Sequence, residues 1–345
     1  MSASYVTVGW NRQKKIYDAI LAASLIAYLA LFIAVSFVIH PTISAETAIL
    51  RALATGAIIL LHVILSIGPL CRLNRRFLPL LYNRRHLGVT MFFLALGHGV
   101  LATLQFHAFT SVNPLLSIFI TNTAYNSLAG FPFEVLGFFA LVILFTMAAT
   151  SHDFWLANLS APVWKALHML VYVAYALVVG HVALGSLQSE THMAYPLMVG
   201  LGVLWLSVLH VAAARKEVPV DRELGDGPWV DVCALEDIPE DRARIFCMSG
   251  ERVAVFKYDG KLSAVSNVCK HQNGPLGEGK VVDGCITCPW HGYQYRPEDG
   301  ASPPPFTEKV PTFAVRLQGD RVLVDPQPRP AGTRIEPARI ETMEV

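Results

Sequence analysis

Long apolar runs dominate the first two thirds of the chain. Six of them are about 20 residues long, which is the length of helix that crosses the hydrocarbon core of a bilayer. These runs cover residues 19–39, 52–70, 87–106, 131–150, 166–184 and 195–214, and only the fourth contains a charged residue, Glu134. The pattern predicts six transmembrane helices, because a soluble helical protein would not produce six such runs.

Basic residues occur in alternate connecting segments. Apart from Arg51, just before the second run, the segments after runs one, three and five contain no Lys or Arg. The basic residues of the other segments are Arg12, Lys14, Lys15, Arg72, Arg75, Arg76, Arg84, Arg85, Lys165, Arg215 and Lys216. Because cytoplasmic loops carry the excess of Lys and Arg, we expect a multi-pass protein of the bacterial inner (cytoplasmic) membrane with both termini in the cytoplasm.

The texture changes after the sixth run. Short β-rich segments alternate with turns such as Asp259-Gly260 and Gly319-Asp320, which is typical of a small antiparallel β domain. The predicted fold class is a multi-domain protein, with a six-helix α transmembrane bundle followed by a small all-β domain. The expected boundaries are 1–215 for the membrane domain, 216–227 for a linker, 228–328 for the β domain and 329–345 for a flexible tail.

Composition agrees with a membrane protein. Hydrophobic residues make up 53% of the chain and charged residues 15%, well below the roughly 25% of soluble domains. A net charge of +1 gives no indication of nucleic-acid binding. The six cysteines show no disulfide spacing, which favours a reducing compartment, and the first apolar run is too long for a cleavable signal peptide.

Two short motifs in the β domain each offer one thiolate and one imidazole. Cys269-Lys-His271 is followed after sixteen residues by Cys288-Pro-Trp-His291-Gly. Two Cys on one iron and two His on the other form the Rieske type of [2Fe–2S] cluster. A zinc or dithiol site using Cys285-x-x-Cys288 is the alternative, but it leaves the paired Cys/His arrangement unexplained.

Five histidines lie inside the predicted spans. They are His62, His98, His168, His181 and His210. Ionisable residues in a bilayer are costly and usually functional, and imidazole is an axial ligand of haem. A single such His could instead bond a neighbouring helix, but the five together favour at least one haem.

The spans resemble the ferric-reductase-like transmembrane domain over residues 15–215. The similarity lies in Arg84-Arg85-His86-Leu87-Gly88 with Ala95-Leu96-Gly97-His98, and in Trp164-Lys165-Ala166-Leu167-His168 with Leu170, Tyr172 and His181. The resemblance implies b-type haem bound by His98, His168 and His181. Depth along the helices does not decide whether His168 or His181 pairs with His98. We expect one haem, and a second would need another ligand such as His62.

Arg51 and Glu134 lie near the outer ends of their spans, and the sequence leaves several roles open for them. Arg51 and Glu134 could pair with each other. Arg51 could instead hold a haem propionate, or extend to the membrane surface as long basic side chains do.

The β domain resembles bacterial Rieske-type ferredoxins from Trp229 to Val324. Beside the two motifs, Pro303-Pro304-Pro305 matches the loop that covers the cluster. The resemblance implies that Cys269 and Cys288 bind one iron and that His271 and His291 bind the other.

Departures from the respiratory form of that fold indicate a low potential. Gly274 and Trp290 replace its disulfide cysteines, and Tyr293 replaces its Ser, while Tyr295 matches a Tyr that bonds near the cluster. Fewer hydrogen bonds to sulfur lower the potential.

These features together predict an electron carrier or oxidoreductase of ferric-reductase-like type, without a nucleotide-binding fold of its own. A cytoplasmic reductase or ferredoxin would supply electrons, which would pass outward to a quinone, a metal ion, oxygen or a periplasmic acceptor. A quinol-driven flow toward a cytoplasmic enzyme and a membrane-anchored redox sensor are the alternatives. An oxygenase is disfavoured, because the only histidines of the β domain, His271 and His291, are already used. We also expect the transmembrane helices to contact membrane lipid.

Overall fold

The computed structural model describes residues 12–340, except 110, 153–154, 156–158, 160, 191, 226, 272 and 291. The chain divides into two compact units. Among the described residues, one unit contains 68–82 and 210–340, and the other contains 12–67 and 83–209.

Helices long enough to cross a bilayer occur at all six predicted places, so the prediction of six spans is confirmed. The helices are α1 (Arg12–Ile39), α2 (Ala45–Leu73), α3 (Arg84–His107), α4 (Pro114–Ile120), α5 (Phe133–Thr150), α6 (Ala161–Met169), α7 (Val171–Leu184), α8 (Ser186–Ser189) and α9 (Ala194–Glu217), with a 3₁₀ helix at Arg75–Asn83. The fifth span, Val163–Ser189, comprises α6, α7 and α8, with breaks at Leu170 and Gly185.

The outward faces of these helices are apolar. Leu31 is 66% exposed, Phe93 61% and Leu201 60%. Large apolar side chains on a surface mark a contact with another apolar phase, and helices of this length and composition make that phase the lipid of a multi-pass membrane protein.

The β domain is built around one central sheet with a buried layer on each face. Its strands are β1 (Val230–Ala234), β2 (Arg242–Met248), β3 (Glu251–Tyr258), β4 (Lys261–Ser266), β5 (Lys280–Val282), β6 (Cys285–Thr287), β7 (Gln294–Tyr295), β8 (Thr312–Phe313), β9 (Val315–Gln318), β10 (Arg321–Val324) and β11 (Ala338–Arg339). The central sheet has the order β11-β4-β3-β2, with β8 beside β4, and three-stranded sheets are formed by β1-β10-β9 and β5-β6-β7.

Alternation along β3 explains why both faces of the central sheet are covered. Val253 and Val255 belong to a core shared with β1 and β10, whereas Ala254 and Phe256 belong to a second core shared with the β5-β6-β7 sheet. Successive strand residues point to opposite faces of a sheet. The continuous apolar run of β3 therefore contributes alternate side chains to the two cores. The second core contains Cys269 and Cys288.

The chain after residue 328 is part of the domain as far as residue 340, contrary to the expected flexible tail. Strand β11 pairs antiparallel with β4, and Ile340 donates its N–H to the Gly260 carbonyl at 2.8 Å. Ala338 and Ile340 pack against the first core. These two apolar residues anchor the segment, and residues 341–345 lie outside the described part.

Removing residues 329–345 is expected to destabilise the β domain. Loss of β11 and of the apolar contacts of Ala338 and Ile340 should lower the free energy of unfolding by about 2 kcal/mol. Thermal denaturation of the full-length protein, followed through the visible absorption of the β domain, measures the change. A chain ending at Ile340 is the matched control, and equal stability of both truncations would contradict the packing role of β11.

Candidate redox sites

The two cysteine motifs lie on loops with the same backbone hydrogen-bond pattern. In the first loop Cys269 N–H donates to the Gly274 carbonyl at 2.9 Å, and Asn273 N–H donates to the Cys269 carbonyl at 2.7 Å. In the second loop Cys288 N–H donates to the Tyr293 carbonyl at 2.7 Å, and Gly292 N–H to the Cys288 carbonyl at 2.9 Å.

The fifth residue of each loop takes the same unusual conformation. Asn273 has φ +58° and Gly292 has φ +72°, a region that Asn and Gly enter most readily. The two loops are therefore equivalent turns, and they differ in whether the His follows the Cys by two residues or by three.

The loops approach each other at Gly274. A Cβ atom there would lie 2.7 Å from Cys288 Sγ and 3.3 Å from the Trp290 ring. Both cysteines are 1% exposed. Gly274 and Trp290 occupy the positions at which the respiratory form has a disulfide. In this protein the two residues lie next to each other and beside the buried sulfur of Cys288.

His271 is placed by aromatic packing. Its ring stacks on Tyr293 with centroids 4.8 Å apart and planes 11° apart, and its Nδ1 atom is buried. The Tyr293 hydroxyl donates to the Glu308 carboxylate and is held there, and the Tyr293 ring packs on Phe306. Tyr293 therefore directs its proton to Glu308, in agreement with the expectation of few bonds to sulfur. His291, the fourth predicted ligand, lies outside the described residues.

Tyr295 provides a hydrogen bond to a cysteine sulfur. Its hydroxyl accepts the Lys270 N–H at 3.0 Å and lies 3.3 Å from Cys269 Sγ. Because its acceptor side is engaged by Lys270, the proton is available to the sulfur. Burial first, and then the adjacent Cys269, raise the pKa of Tyr295 above its ordinary value, so the hydroxyl stays protonated.

The donor set of the β domain fits an iron–sulfur cluster. Two buried sulfurs and a buried imidazole nitrogen, carried on two tightly turned loops, are features that such clusters use.

A second candidate site lies between the membrane helices. His98 on α3 and His181 on α7 have ring centroids 6.2 Å apart. His98 Nδ1 lies 3.2 Å from the Leu50 carbonyl of α2, and His181 Nδ1 lies 2.9 Å from the Phe133 carbonyl of α5. Because a carbonyl only accepts, both Nδ1 atoms donate, which leaves the Nε2 lone pairs to act as ligands.

Glycines allow this arrangement. A Cβ at Gly137 would lie 2.7 Å from His181 Nδ1, and one at Gly99 would lie 2.9 Å from Leu141. Without side chains at these points, α5 can contact the His181 ring and α3 can approach α5 closely.

The separation of the two rings fits a single metal ion between them. With metal–nitrogen bonds of about 2 Å, two imidazoles on opposite sides of one metal have ring centroids about 6 Å apart. His98 and His181 would therefore be able to hold a haem iron, which would supply one-electron chemistry.

His168 is not brought to this pair. It precedes His181 by thirteen residues, or about 20 Å of helix rise. Its Nδ1 donates to the Trp164 carbonyl at 2.9 Å, its Nε2 lies 3.3 Å from Ser151 Oγ, and its ring stacks on Trp164 at 3.7 Å.

His62 is held by a different partner. Its Nδ1 donates to the Ile58 carbonyl at 2.7 Å and its Nε2 accepts from Tyr175 at 3.0 Å, so both ring nitrogens are used. A Cβ at Gly202 would lie 2.2 Å from its Nε2, so α9 packs directly on the ring. His210 lies near the C-terminal end of α9.

Arg51 forms an ion pair with Glu190 at 3.2 Å. The suggested pairing with Glu134 is therefore corrected, because the loop after α8 brings Glu190 to the start of α2.

The sequence did not predict the roles of Glu190, Glu308, Gly99 or Gly137 at these sites. The one sequence signal for them was the Gly97-His98-Gly99 triplet, in which small residues flank the His.

Two family models match the chain. A ferric reductase like transmembrane component matches residues 51–179, and a Rieske [2Fe-2S] domain matches residues 228–314. The first match includes His98 and His168 and ends two residues before His181, and the second includes both cysteine loops.

Curated relatives match the β domain. The ferredoxin component of the alkene monooxygenase system of Xanthobacter autotrophicus is 31% identical over 31% of this chain and 89% of that protein. The ferredoxin component of the naphthalene 1,2-dioxygenase system of Pseudomonas aeruginosa is 30% identical over 28% of this chain and 94% of that protein. The ferredoxin of carbazole 1,9a-dioxygenase from Nocardioides aromaticivorans, a solved structure, is 26% identical over 29% of this chain and all of its own, with a TM-score of 0.28.

Six apolar helices joined to a β domain with paired cysteine loops define a multi-pass membrane redox protein. The chain belongs to the Rieske [2Fe–2S] family and joins that domain to a ferric-reductase-like transmembrane component. Both resemblances inferred from the motifs are confirmed.

Replacing Tyr295 by Phe is expected to lower the reduction potential of the β domain. The hydroxyl bond to Cys269 Sγ stabilises the more negative, reduced form, so its loss should shift the midpoint downward by about 50 mV. Redox titration monitored by EPR measures the shift. Tyr258→Phe removes a buried hydroxyl bonded to Ser263 at 2.9 Å and is the control. An unchanged midpoint in Tyr295→Phe would show that this bond does not tune the potential.

Proposed function

We propose that this protein carries electrons between a Rieske cluster on the cytoplasmic side of the membrane and one b-type haem within the helices, and onward to the outer side. The observation that supports this most directly is the His98–His181 pair, which has the spacing of two axial ligands in the same chain as the paired cysteine loops. When bound, cluster and haem each supply reversible one-electron chemistry.

In the β domain we assign Cys269 and Cys288 to one iron, and His271 and His291 to the other. The chain excludes water from this site by burying both sulfurs and covering His271 with Tyr293. The Tyr295 hydroxyl keeps its proton and donates a hydrogen bond to the Cys269 sulfur.

In the membrane we assign the haem to His98 and His181. The carbonyls of Leu50 and Phe133 fix the orientation and tautomer of the two rings. We assign His168 and His62 to hydrogen bonding within the bundle, so that the protein binds one haem.

The distribution of Lys and Arg supports the proposed direction of electron transfer. The Lys and Arg distribution favours a cytoplasmic β domain, which would accept electrons from a cytoplasmic reductase or ferredoxin. A quinone, a metal ion, oxygen or a periplasmic protein would then receive them at the outer side of the bacterial inner membrane.

One observation favours the opposite direction as a second candidate. Two curated relatives of the β domain are ferredoxin components of oxygenase systems. By that likeness, a quinol would reduce the haem and the β domain would supply a cytoplasmic enzyme.

Histidine substitutions test the haem assignment. His98→Ala and His181→Ala should each abolish the low-spin haem spectrum and lower the iron content from about three atoms per chain to about two. His168→Ala and His62→Ala should retain both, because their ring nitrogens bond within the bundle. Absorption spectra and iron analysis of purified protein give the result, and loss of haem in His168→Ala with retention in His181→Ala would reverse the assignment.

Steady-state reduction tests the direction of transfer. With NADH and a generic ferredoxin reductase, the haem absorption of the wild-type protein should become that of the reduced form. A Cys288→Ser variant, which lacks one sulfur ligand, should leave the haem oxidised. Haem reduction by a quinol alone, with none from NADH and the reductase, would favour the second candidate.

A further inference from the structure

The residues after the last membrane helix pack on the β domain, where a polar linker was expected. Helix α9 continues to Glu217, and Glu223 forms a parallel bridge with Cys247 of β2. Leu224 N–H donates to the Cys247 carbonyl at 3.1 Å, and Gly250 N–H donates to the Glu223 carboxylate at 3.2 Å. This segment therefore extends along the edge of the central sheet.

One side chain joins the end of the helix, the segment and the sheet. Arg252 of β3 places Nη1 3.0 Å from Glu217 Oε2 and Nη2 2.6 Å from Asp221 Oδ1. Its Nε also donates to Asp221. Arg252 thus binds one carboxylate at the last residue of α9 and another in the turn that follows.

The backbone of the same residue supports the first cysteine loop. The Arg252 carbonyl accepts the Asn267 N–H at 2.8 Å, and Asn267 lies two residues before Cys269. The Asn267 side chain in turn accepts the Gly277 N–H at 2.7 Å, on the far side of the loop. Arg252 therefore lies between the end of α9 and the segment that carries Cys269.

We propose that Arg252 is a positioning residue that keeps the β domain docked on the cytoplasmic end of α9 during electron transfer. This inference rests on the proposed function, because docking matters for the rate only if electrons pass between β domain and membrane within one chain. A free segment of ten residues, 218–227, would have an end-to-end distance of about 15–20 Å and would vary the transfer distance. The bridge to β2 and the two ion pairs of Arg252 instead hold this segment on the sheet whose strand β4 leads into the first cysteine loop.

Two measurements on the full-length protein test the proposal. Hydrogen exchange reports whether residues 218–225 are docked, and flash reduction of the β domain followed by haem absorption reports the transfer rate. In Arg252→Gln, loss of both ion pairs should speed amide exchange in this segment about tenfold. The transfer rate should fall, while the midpoint potential of the β domain stays unchanged.

Two further variants separate docking from general charge effects. Arg321→Gln removes a similar ion pair, with Asp231 at 2.8 Å, that lies within the β1–β10 pair, and it should change neither readout. Arg252→Lys keeps the charge but not the fork that reaches two carboxyl groups, and it should give intermediate values.

The proposal is overturned if the wild-type segment exchanges as an unstructured chain, or if Arg252→Gln leaves its exchange unchanged. It also fails if exchange rises and the transfer rate does not fall, or if the midpoint potential shifts. A protected wild-type segment in a protein whose β domain never reduces the haem would instead support docking and reject the proposed electron transfer.

Discussion

An imidazole inside a bilayer must place its N–H on an acceptor of the protein, because the hydrocarbon core offers no water. His98 and His181 meet this requirement with the carbonyls of Leu50 and Phe133, which lie on two other helices. These contacts join four helices, and Gly137 leaves room for the His181 ring because it carries no side chain. The position of the candidate haem ligands and the close packing of the bundle are consequences of the same constraint.

The β domain solves a related problem with sulfur. Cys269 and Cys288 are buried, and a buried thiolate needs hydrogen-bond donors to be stable. Tyr295 supplies a hydroxyl to the Cys269 sulfur, while the Tyr293 hydroxyl is held by Glu308. The loop after β7 brings Glu308 to Tyr293 and so engages the Tyr293 hydroxyl. Tyr295 is therefore the tyrosine that bonds to a cysteine sulfur.

Much of this architecture could be predicted from local sequence. The six spans follow from run length, and the cysteine loops follow from residue type and spacing. The pairing of His98 with His181 could not be predicted, because it depends on the Phe133 carbonyl and on Gly137, which are distant in sequence. The same reason applies to the ion pair of Arg51 with Glu190. Glu190 lies in a loop, and the hydrophobic periodicity of the sequence does not predict the path of a loop. Strand β11 was missed because a two-residue strand in a Pro-rich segment has no periodic signal.

The two cysteine loops carry their shape in their own backbone. Each is closed by a pair of main-chain hydrogen bonds and by one residue with positive φ. The shape of each loop therefore depends on its length more than on the side chains between the cysteine and the fifth residue. Inserting or deleting one residue would break both main-chain hydrogen bonds, whereas a change of side chain at an intervening position would leave them in place.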